Sequence, residues 1–191
     1  MVRRIVIVGA GCGGGTAAQF ARKTDRQAEI VMIEREMYPQ YSRCGLPYGI
    51  SGVIPELTNL IEAPEERLKK NRIGLMLGTS VTSVDNAAKV VHAAKADGSK
   101  VELPYDSLVL AIGAHPFIPP IPGVTREGVH SVRTLDDADA LLAALRPELR
   151  CVCIGGGLLG LETASALARR GVSVTVLEGF PWLLPRQLNQ R

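Results

Sequence analysis

Two glycine-rich segments of this chain have the spacing G-x-G-x-x-G, which suits them to binding phosphate groups. The six glycines are Gly9, Gly11 and Gly14 in the first segment and Gly155, Gly157 and Gly160 in the second. Each segment follows a short apolar run and precedes an alanine-rich stretch, so each predicts a turn between a strand and a helix. The unpaired N–H groups and the dipole at the start of such a helix bind phosphate.

An acidic residue completes each segment at the end of the next apolar run. Glu34 lies 20 residues after Gly14, and Glu178 lies 18 residues after Gly160. A carboxylate at this place accepts hydrogen bonds from the ribose hydroxyls of a dinucleotide. One G-x-G-x-x-G segment alone is a weak signal, but here the whole pattern occurs twice in 191 residues. The sequence therefore predicts two dinucleotide sites and electron transfer between the two bound dinucleotides.

Cys44 is the residue whose side chain would decide the chemistry beyond the dinucleotides. It lies ten residues past Glu34, at the entry to a short helix predicted near Pro47. The start of that helix and the neighbouring Arg43 favour the thiolate, which is the reactive form of cysteine. A thiolate can cycle through a mixed disulfide with a small thiol or through a sulfenic acid. The chain has no C-x4-C pair, so an internal dithiol mechanism is not predicted.

The other three cysteines, Cys12, Cys151 and Cys153, are predicted to be small buried hydrophobic residues. Their spacing does not form a disulfide framework. A lone C-x-C pair with three scattered histidines also lacks the spacing of metal ligands, so no metal site is predicted.

Composition limits the class of protein. The hydrophobic content of 46% is enough for a core, and the net charge of +3 comes from scattered basic residues. Clustered charge with interleaved aromatic residues, which is typical of nucleic-acid binding, is missing. No apolar stretch has the length of a membrane span or of a signal sequence. We therefore expect a soluble, cytoplasmic protein that binds neither nucleic acid nor membrane.

Hydrophobic periodicity predicts the elements that position these residues. The predicted strands are 4–8, 28–33, 75–77, 80–84, 89–94, 100–103, 108–113, 151–154 and the apolar run that ends at Glu178. The predicted helices are 14–23, 62–70 and 136–145, with a further helix after Gly160. Residues 96–98 form a hairpin turn, and the strand over 108–113 is expected to be fully buried.

The pattern predicts an α/β fold in three segments. Residues 1–114 form the first segment of one dinucleotide-binding domain, and 115–148 are a crossover linker with a helix. Residues 149–191 supply the first βαβ unit of a second such domain. One βαβ unit leaves parallel strand edges unpaired, and a dinucleotide site is normally built from two halves. We therefore expect that this sequence is part of a longer chain.

Three motifs identify a family that this chain resembles. They are residues 42–48 (SRCGLPY), 108–114 (LVLAIGA) and 134–139 (TLDDAD). With the two glycine segments, they resemble the N-terminal part of the pyridine nucleotide-disulfide oxidoreductase superfamily. Residues 42–48 resemble its single-cysteine branch, which contains coenzyme A-disulfide reductases, NADH oxidases and NADH peroxidases. The resemblance implies a Rossmann-like FAD domain with a three-layer ββα arrangement and a short β-meander. The start of a Rossmann-like NAD domain follows it.

The resemblance also implies cofactors and site residues. It assigns FAD binding to Gly9, Gly11, Gly14, Glu34, Ser42 and Gly113. It assigns NADH binding, with NADPH less favoured, to Gly155, Gly157, Gly160 and Glu178. Cys44 would be the catalytic residue, relaying electrons from FAD to a disulfide, peroxide, polysulfide or oxygen. Members of this branch act on small molecules, and a homodimer is expected.

The preference for NADH follows from Glu178, which would repel the 2′-phosphate of NADPH. The adjacent Gly179 and Phe180 offer no cation to compensate, and Arg186 is the residue that would reverse the preference by folding back. Two alternatives stay open. One is a flavin reductase that serves a small iron protein with Cys44 structural, and the other is a non-catalytic nucleotide-binding fragment.

Overall fold

The computed structural model describes residues 2–146, 148–185 and 187–189. Its strands are β1 (Arg4–Val8), β2 (Glu29–Ile33), β3 (Ile73–Met76), β4 (Thr79–Asp85), β5 (Val90–Lys95), β6 (Lys100–Pro104), β7 (Ser107–Leu110), β8 (Arg150–Ile154) and β9 (Ser173–Leu177). Its α-helices are α1 (Cys12–Thr24), α2 (Leu46–Ser51), α3 (Glu65–Lys70), α4 (Leu135–Ala144) and α5 (Leu158–Arg169). Short 3-10 turns cover Arg43–Gly45 and Leu57–Leu60.

The chain divides into two compact units. The first unit contains residues 1–42 and 61–114, and the second contains residues 43–60 and 115–191. The loop that carries Cys44 therefore belongs to the same unit as the second glycine segment. The predicted domain boundaries at 114 and 148 stay predictions.

The first unit is built on a parallel sheet with the strand order β3-β2-β1-β7. A separate antiparallel sheet has the order β4-β5-β6, and it corresponds to the predicted meander. The hairpin between β5 and β6 turns at Gly98, which has a φ of +83° that favours glycine.

Two adjacent residues of β1 show how the first unit is layered. Val6 and Ile7 are both fully buried, and successive side chains of a strand point to opposite faces of the sheet. Ile7 packs in a cluster with Ala18 of α1 and Leu68 of α3. Val6 packs in a second cluster with Val91 of β5. The parallel sheet thus lies between helices and the antiparallel sheet, which confirms the predicted α/β fold with ββα layers.

The prediction of a fully buried strand over 108–113 is wrong. The strand ends at Leu110, and the side chains of Leu110 and Ile112 are exposed. Strand β7 lies at an edge of the four-stranded sheet, where β1 is its one neighbour among the strands that the structure describes. A continuous apolar run predicts a strand, but it does not show which residues lie at an edge.

In the second unit, β8 and β9 form a parallel pair that is connected by α5. Helix α2 packs against both α4 and α5. Helix α4 begins with a capping box, in which the Thr134 side chain accepts from the Asp137 N–H and the Asp137 carboxylate accepts from the Thr134 N–H. Among the described residues, no helix combines the length and the apolar composition needed to cross a bilayer.

Candidate dinucleotide sites and the Cys44 turn

The first glycine turn joins β1 to α1, and close backbone contacts fix its shape. Gly9 has a φ of +97°, and its N–H donates to the Ile33 carbonyl at 2.8 Å. A Cβ atom added at Gly9 would overlap the carbonyl oxygen of Ala111. A Cβ atom added at Gly14 would overlap the carbonyl oxygen of Gly9. The packing of the unit therefore requires glycine at both positions.

Gly11 differs from these two glycines. Its φ of −68° is open to any residue, and no described atom lies within 4 Å of an added Cβ. The protein's own packing therefore does not require glycine at this position. An absent side chain at the start of α1 leaves room for a pyrophosphate to approach the backbone. The first turn thus fits a dinucleotide.

Glu34 holds the first turn through its carboxylate. Its Oε2 accepts a hydrogen bond from the Ala10 N–H at 2.7 Å, and its Oε1 accepts from the Glu36 N–H at 3.1 Å. The residue is only 8% exposed. A carboxylate has about four acceptor sites, so two remain for the ribose hydroxyls that the sequence predicts.

The second turn, between β8 and α5, repeats the positive φ of the first glycine, the close contact at the third and the open second glycine. Gly155 has a φ of +106°, and its N–H donates to Leu177 at 2.8 Å. A Cβ atom added at Gly160 would overlap the Gly155 carbonyl. Gly157, with a φ of −78°, again has no described atom within 4 Å of an added Cβ. The second turn therefore also fits a dinucleotide.

Glu178 completes the second turn. Its Oε1 accepts from the Phe180 N–H at 2.9 Å, and its Oε2 accepts from the Gly156 N–H at 2.7 Å. These two hydrogen bonds lower the pKa of the Glu178 carboxyl below its usual range, so it is ionised at neutral pH. The predicted counter-influence of Arg186 lies outside the described residues.

The Ala10 and Gly156 amides are functional groups that the sequence reasoning missed. They occupy the variable position between the first and second glycines, where only the backbone acts. No side-chain type at that position could have indicated the hydrogen bond.

Cys44 lies in the 3-10 turn Arg43–Gly45, directly before α2, and its side chain is exposed. The Arg43 guanidinium donates from Nη1 to the Arg133 carbonyl at 2.9 Å, so it connects the turn to the start of α4. The predicted stabilisation of a Cys44 thiolate stays a prediction. Ser42 precedes this turn and is half-buried, and Gly113 is exposed with a φ of +67°. Their cofactor roles also stay predictions.

The prediction that the other cysteines are buried is wrong. Cys12 is exposed, because it is the first residue of α1 and lies at the open end of the glycine turn. Cys151 and Cys153 are half-buried on one face of β8. The Cys153 thiol donates to the Gly160 carbonyl at 3.3 Å. Burial raises the pKa of both thiols.

Known oxidoreductases resemble this chain over nearly its whole length. A family model described as pyridine nucleotide-disulphide oxidoreductase matches residues 3–191. The NADH oxidase of Methanocaldococcus jannaschii is 39% identical over 97% of this chain and 42% of its own length. The probable ferredoxin reductase CtmF of Castellaniella defragrans is 35% identical over 92% of this chain and 42% of its own.

A solved structure, that of a NAD-dependent persulfide reductase from A. fulgidus, matches with a TM-score of 0.93 and 36% identity. The match covers 97% of this chain and 35% of that chain. The present chain thus spans less than half the length of each of these three relatives.

Proposed function

The chain belongs to the pyridine nucleotide-disulphide oxidoreductase family, as the sequence motifs predict, and on that premise we propose that it passes electrons from NADH through FAD to an acceptor. The observation that carries the proposal is the duplication of one turn. Each turn has an open second glycine and a carboxylate bound to the amide between the first two glycines. Because both turns have these features, the chain is suited to binding two dinucleotides rather than a single one.

FAD fits the first turn, and the family is FAD-dependent. The N–H groups at the start of α1 take the pyrophosphate, and Gly11 lets it approach the backbone. Glu34 keeps its remaining acceptor sites for the ribose hydroxyls. When bound, FAD would supply the two-electron chemistry between a hydride donor and a disulfide, sulfenic acid or oxygen acceptor.

NADH fits the second turn in the same way. Gly157 leaves room for the pyrophosphate, and the start of α5 supplies N–H groups to it. Glu178 is ionised at neutral pH and binds the ribose hydroxyls. An anion at that place disfavours the additional phosphate of NADPH, so NADH is the proposed donor.

Cys44 is the proposed catalytic residue for the acceptor. Its exposed thiol attacks one sulfur of a disulfide, which releases the other sulfur as a thiol and forms a mixed disulfide. Two electrons from NADH then release the second thiol and regenerate Cys44. The balance is NADH, one proton and one disulfide giving NAD⁺ and two thiols. A polysulfide is cleaved in the same way. A peroxide transfers one oxygen atom to the Cys44 sulfur, which breaks the O–O bond, releases water or an alcohol and leaves a sulfenic acid. NADH and one proton then reduce the sulfenic acid to the thiol and water.

The likeness to a persulfide reductase supports an acceptor with a sulfur–sulfur bond, and the likeness to an NADH oxidase supports oxygen. The proposed acceptor is therefore a small molecule of one of these classes. A homodimer of the whole protein is part of the same proposal.

The test is a Cys44→Ser variant of the full-length holoprotein. We expect loss of NADH-driven reduction of disulfide, polysulfide or peroxide, while NADH-driven reduction of an artificial dye persists. Dye reduction needs only the two dinucleotide sites, whereas the acceptor step needs the thiolate. The Cys151→Ser variant is the matched control, because Cys151 is a half-buried thiol of β8.

A second candidate is supported by the relative CtmF, a probable ferredoxin reductase that is 35% identical over 92% of this chain. In this case the acceptor is a small iron protein, and Cys44 is structural. Full activity of Cys44→Ser on the physiological acceptor would favour this candidate over the first.

A further inference from the structure

Arg170 connects the end of α5 to the helix that follows Cys44. It caps the C-terminus of α5, and its Nε donates to the Ile50 carbonyl of α2 at 2.7 Å. The two residues are 120 positions apart in the chain. An atom added as Cβ at Gly52 would lie 3.2 Å from the Arg170 Nη2. The guanidinium group therefore covers the C-terminal end of α2.

Helix α2 depends on contacts of this kind because it has only six residues. A helix of that length is not stable by itself, and its last carbonyls have no partner within the helix. The Gly52 N–H donates a hydrogen bond to the Gly49 carbonyl at 3.0 Å, and the Ile50 carbonyl accepts one from the Arg170 side chain. A cation at a helix C-terminus is also favoured by the helix dipole.

The other side of the Cys44 turn is held in a similar way. The Arg43 guanidinium donates to the Arg133 carbonyl, and the Arg133 N–H donates to the Asp137 carboxylate at 2.8 Å. Asp137 belongs to the capping box that starts α4. Cys44 therefore lies between one arginine contact to α4 and another to α5. Ile50, whose carbonyl accepts from Arg170, is fully buried and anchors α2 at that contact.

We propose that Arg170 is a positioning residue for the Cys44 thiol, a role that rests on the redox function proposed above. By holding the end of α2, Arg170 fixes the direction in which the preceding turn presents Cys44. Its own helix, α5, begins at the second glycine turn. One helix thus carries a dinucleotide turn at its first end and the contact to the cysteine segment at its last.

The test uses the full-length holoprotein with Arg170→Ala and Arg170→Lys. The matched control is Arg169→Ala, which removes an adjacent exposed arginine at the end of the same helix. Two rates are compared: NADH-driven reduction of a disulfide and NADH-driven reduction of a dye. Alkylation of Cys44 by iodoacetamide is followed separately by peptide mass spectrometry.

We expect Arg170→Ala to lower disulfide turnover by about tenfold or more, because misplacement by about 1 Å lowers rates by about 100-fold. The alkylation rate of Cys44 should also change, whereas dye reduction and bound FAD should match the Arg169→Ala control. Arg170→Lys retains a donor and should recover part of the loss.

Equal behaviour of Arg170→Ala and Arg169→Ala in disulfide turnover and in Cys44 alkylation would overturn the proposal. If Arg170→Ala fails to retain FAD, Arg170→Met decides, because it keeps an aliphatic stem but removes the donor to the Ile50 carbonyl. Unchanged disulfide turnover and unchanged Cys44 alkylation in that variant also overturn the proposal. Failure of the redox function is recognised separately, because Cys44→Ser would then keep disulfide turnover. In that case Cys44 alkylation in the Arg170 variants still decides whether Arg170 positions the turn.

Discussion

The Glu178 carboxylate accepts a hydrogen bond from the Gly156 N–H at 2.7 Å, the distance at which Glu34 accepts from the Ala10 N–H. Gly156 and Ala10 occupy the same position, between the first and second glycines of their turns. The acid therefore has a role within the protein itself: it fixes the glycine turn before any ribose contact is made. This repetition allows each variant in one turn to be checked against its counterpart in the other.

The three glycines of a turn should separate into two kinds when each is replaced by alanine. Gly160→Ala places a Cβ on the Gly155 carbonyl, so we expect a loss of about 1–3 kcal/mol in the free energy of unfolding. Gly157→Ala meets no described atom within 4 Å and should change stability by less than about 0.5 kcal/mol. Gly157→Ala should nevertheless weaken NADH binding, because the added methyl group takes the room of the pyrophosphate.

Urea denaturation without added NADH and fluorescence titration with NADH measure the two effects. The first turn supplies the internal control, since Gly14→Ala and Gly11→Ala should show the same split with FAD. Strong destabilisation by Gly157→Ala in the absence of the dinucleotide would contradict the assignment of that glycine to ligand binding.

Replacing Glu34 by alanine should weaken both the fold and FAD binding. The buried Ala10 N–H loses its acceptor, which costs about 1–3 kcal/mol. The matched control is Glu29→Ala on β2, the strand that Glu34 follows, because the Glu29 carboxylate makes an exposed ion pair with Arg4 at 2.8 Å. Such a pair contributes about 0–1 kcal/mol. Unchanged FAD affinity in Glu34→Ala, measured by quenching of flavin fluorescence, would count against the cofactor role of Glu34.

Glu178 should control the choice between NADH and NADPH in the full-length protein. The hydrogen bonds from Phe180 and Gly156 lower the pKa of the Glu178 carboxyl. The carboxylate therefore stays charged as the pH falls to the usual carboxyl range, and it loses its charge only on further acidification. We expect the ratio of kcat/KM for NADH to that for NADPH to fall by about tenfold or more in Glu178→Ser, as repulsion of the 2′-phosphate is removed. Glu127→Gln, an exposed carboxylate elsewhere in the same unit, controls for net charge. Equal kcat/KM for both donors in the unaltered protein would show that Glu178 does not govern the choice.

Local patterns in the sequence predicted most of the fold. The strand Arg4–Val8 was predicted with its observed bounds, and the helices after both glycine turns follow from the fingerprint. The places of both acids, directly after β2 and β9, were predicted because their spacing from the third glycine is a local feature, while their ribose contacts stay predictions. Patterns of this kind lie within short segments of the sequence, so they can be read without knowledge of the tertiary structure.

Long-range contacts and exposure could not be predicted in the same way. The contact between Arg170 and Ile50 joins residues 120 positions apart, and no periodicity reports it. Likewise, the residue types of Leu110 and Cys12 do not indicate whether another element of the fold covers their side chains, and both side chains are exposed. The hydrogen bond to the Ala10 amide was missed because any residue supplies the same backbone N–H.

The four cysteines should react with iodoacetamide in two groups. Cys44 and Cys12 are exposed, so we expect them to be alkylated first. Cys151 and Cys153 are half-buried, and burial raises the pKa of each thiol, which lowers its thiolate fraction at neutral pH. Their alkylation should therefore be slower at pH about 7 and should accelerate as the pH rises, since the thiolate is the reacting form. Pulsed alkylation followed by peptide mass spectrometry resolves the four sites. Labelling of Cys151 as fast as that of Cys44 at neutral pH would show that β8 opens readily and that its thiols are not protected by the fold.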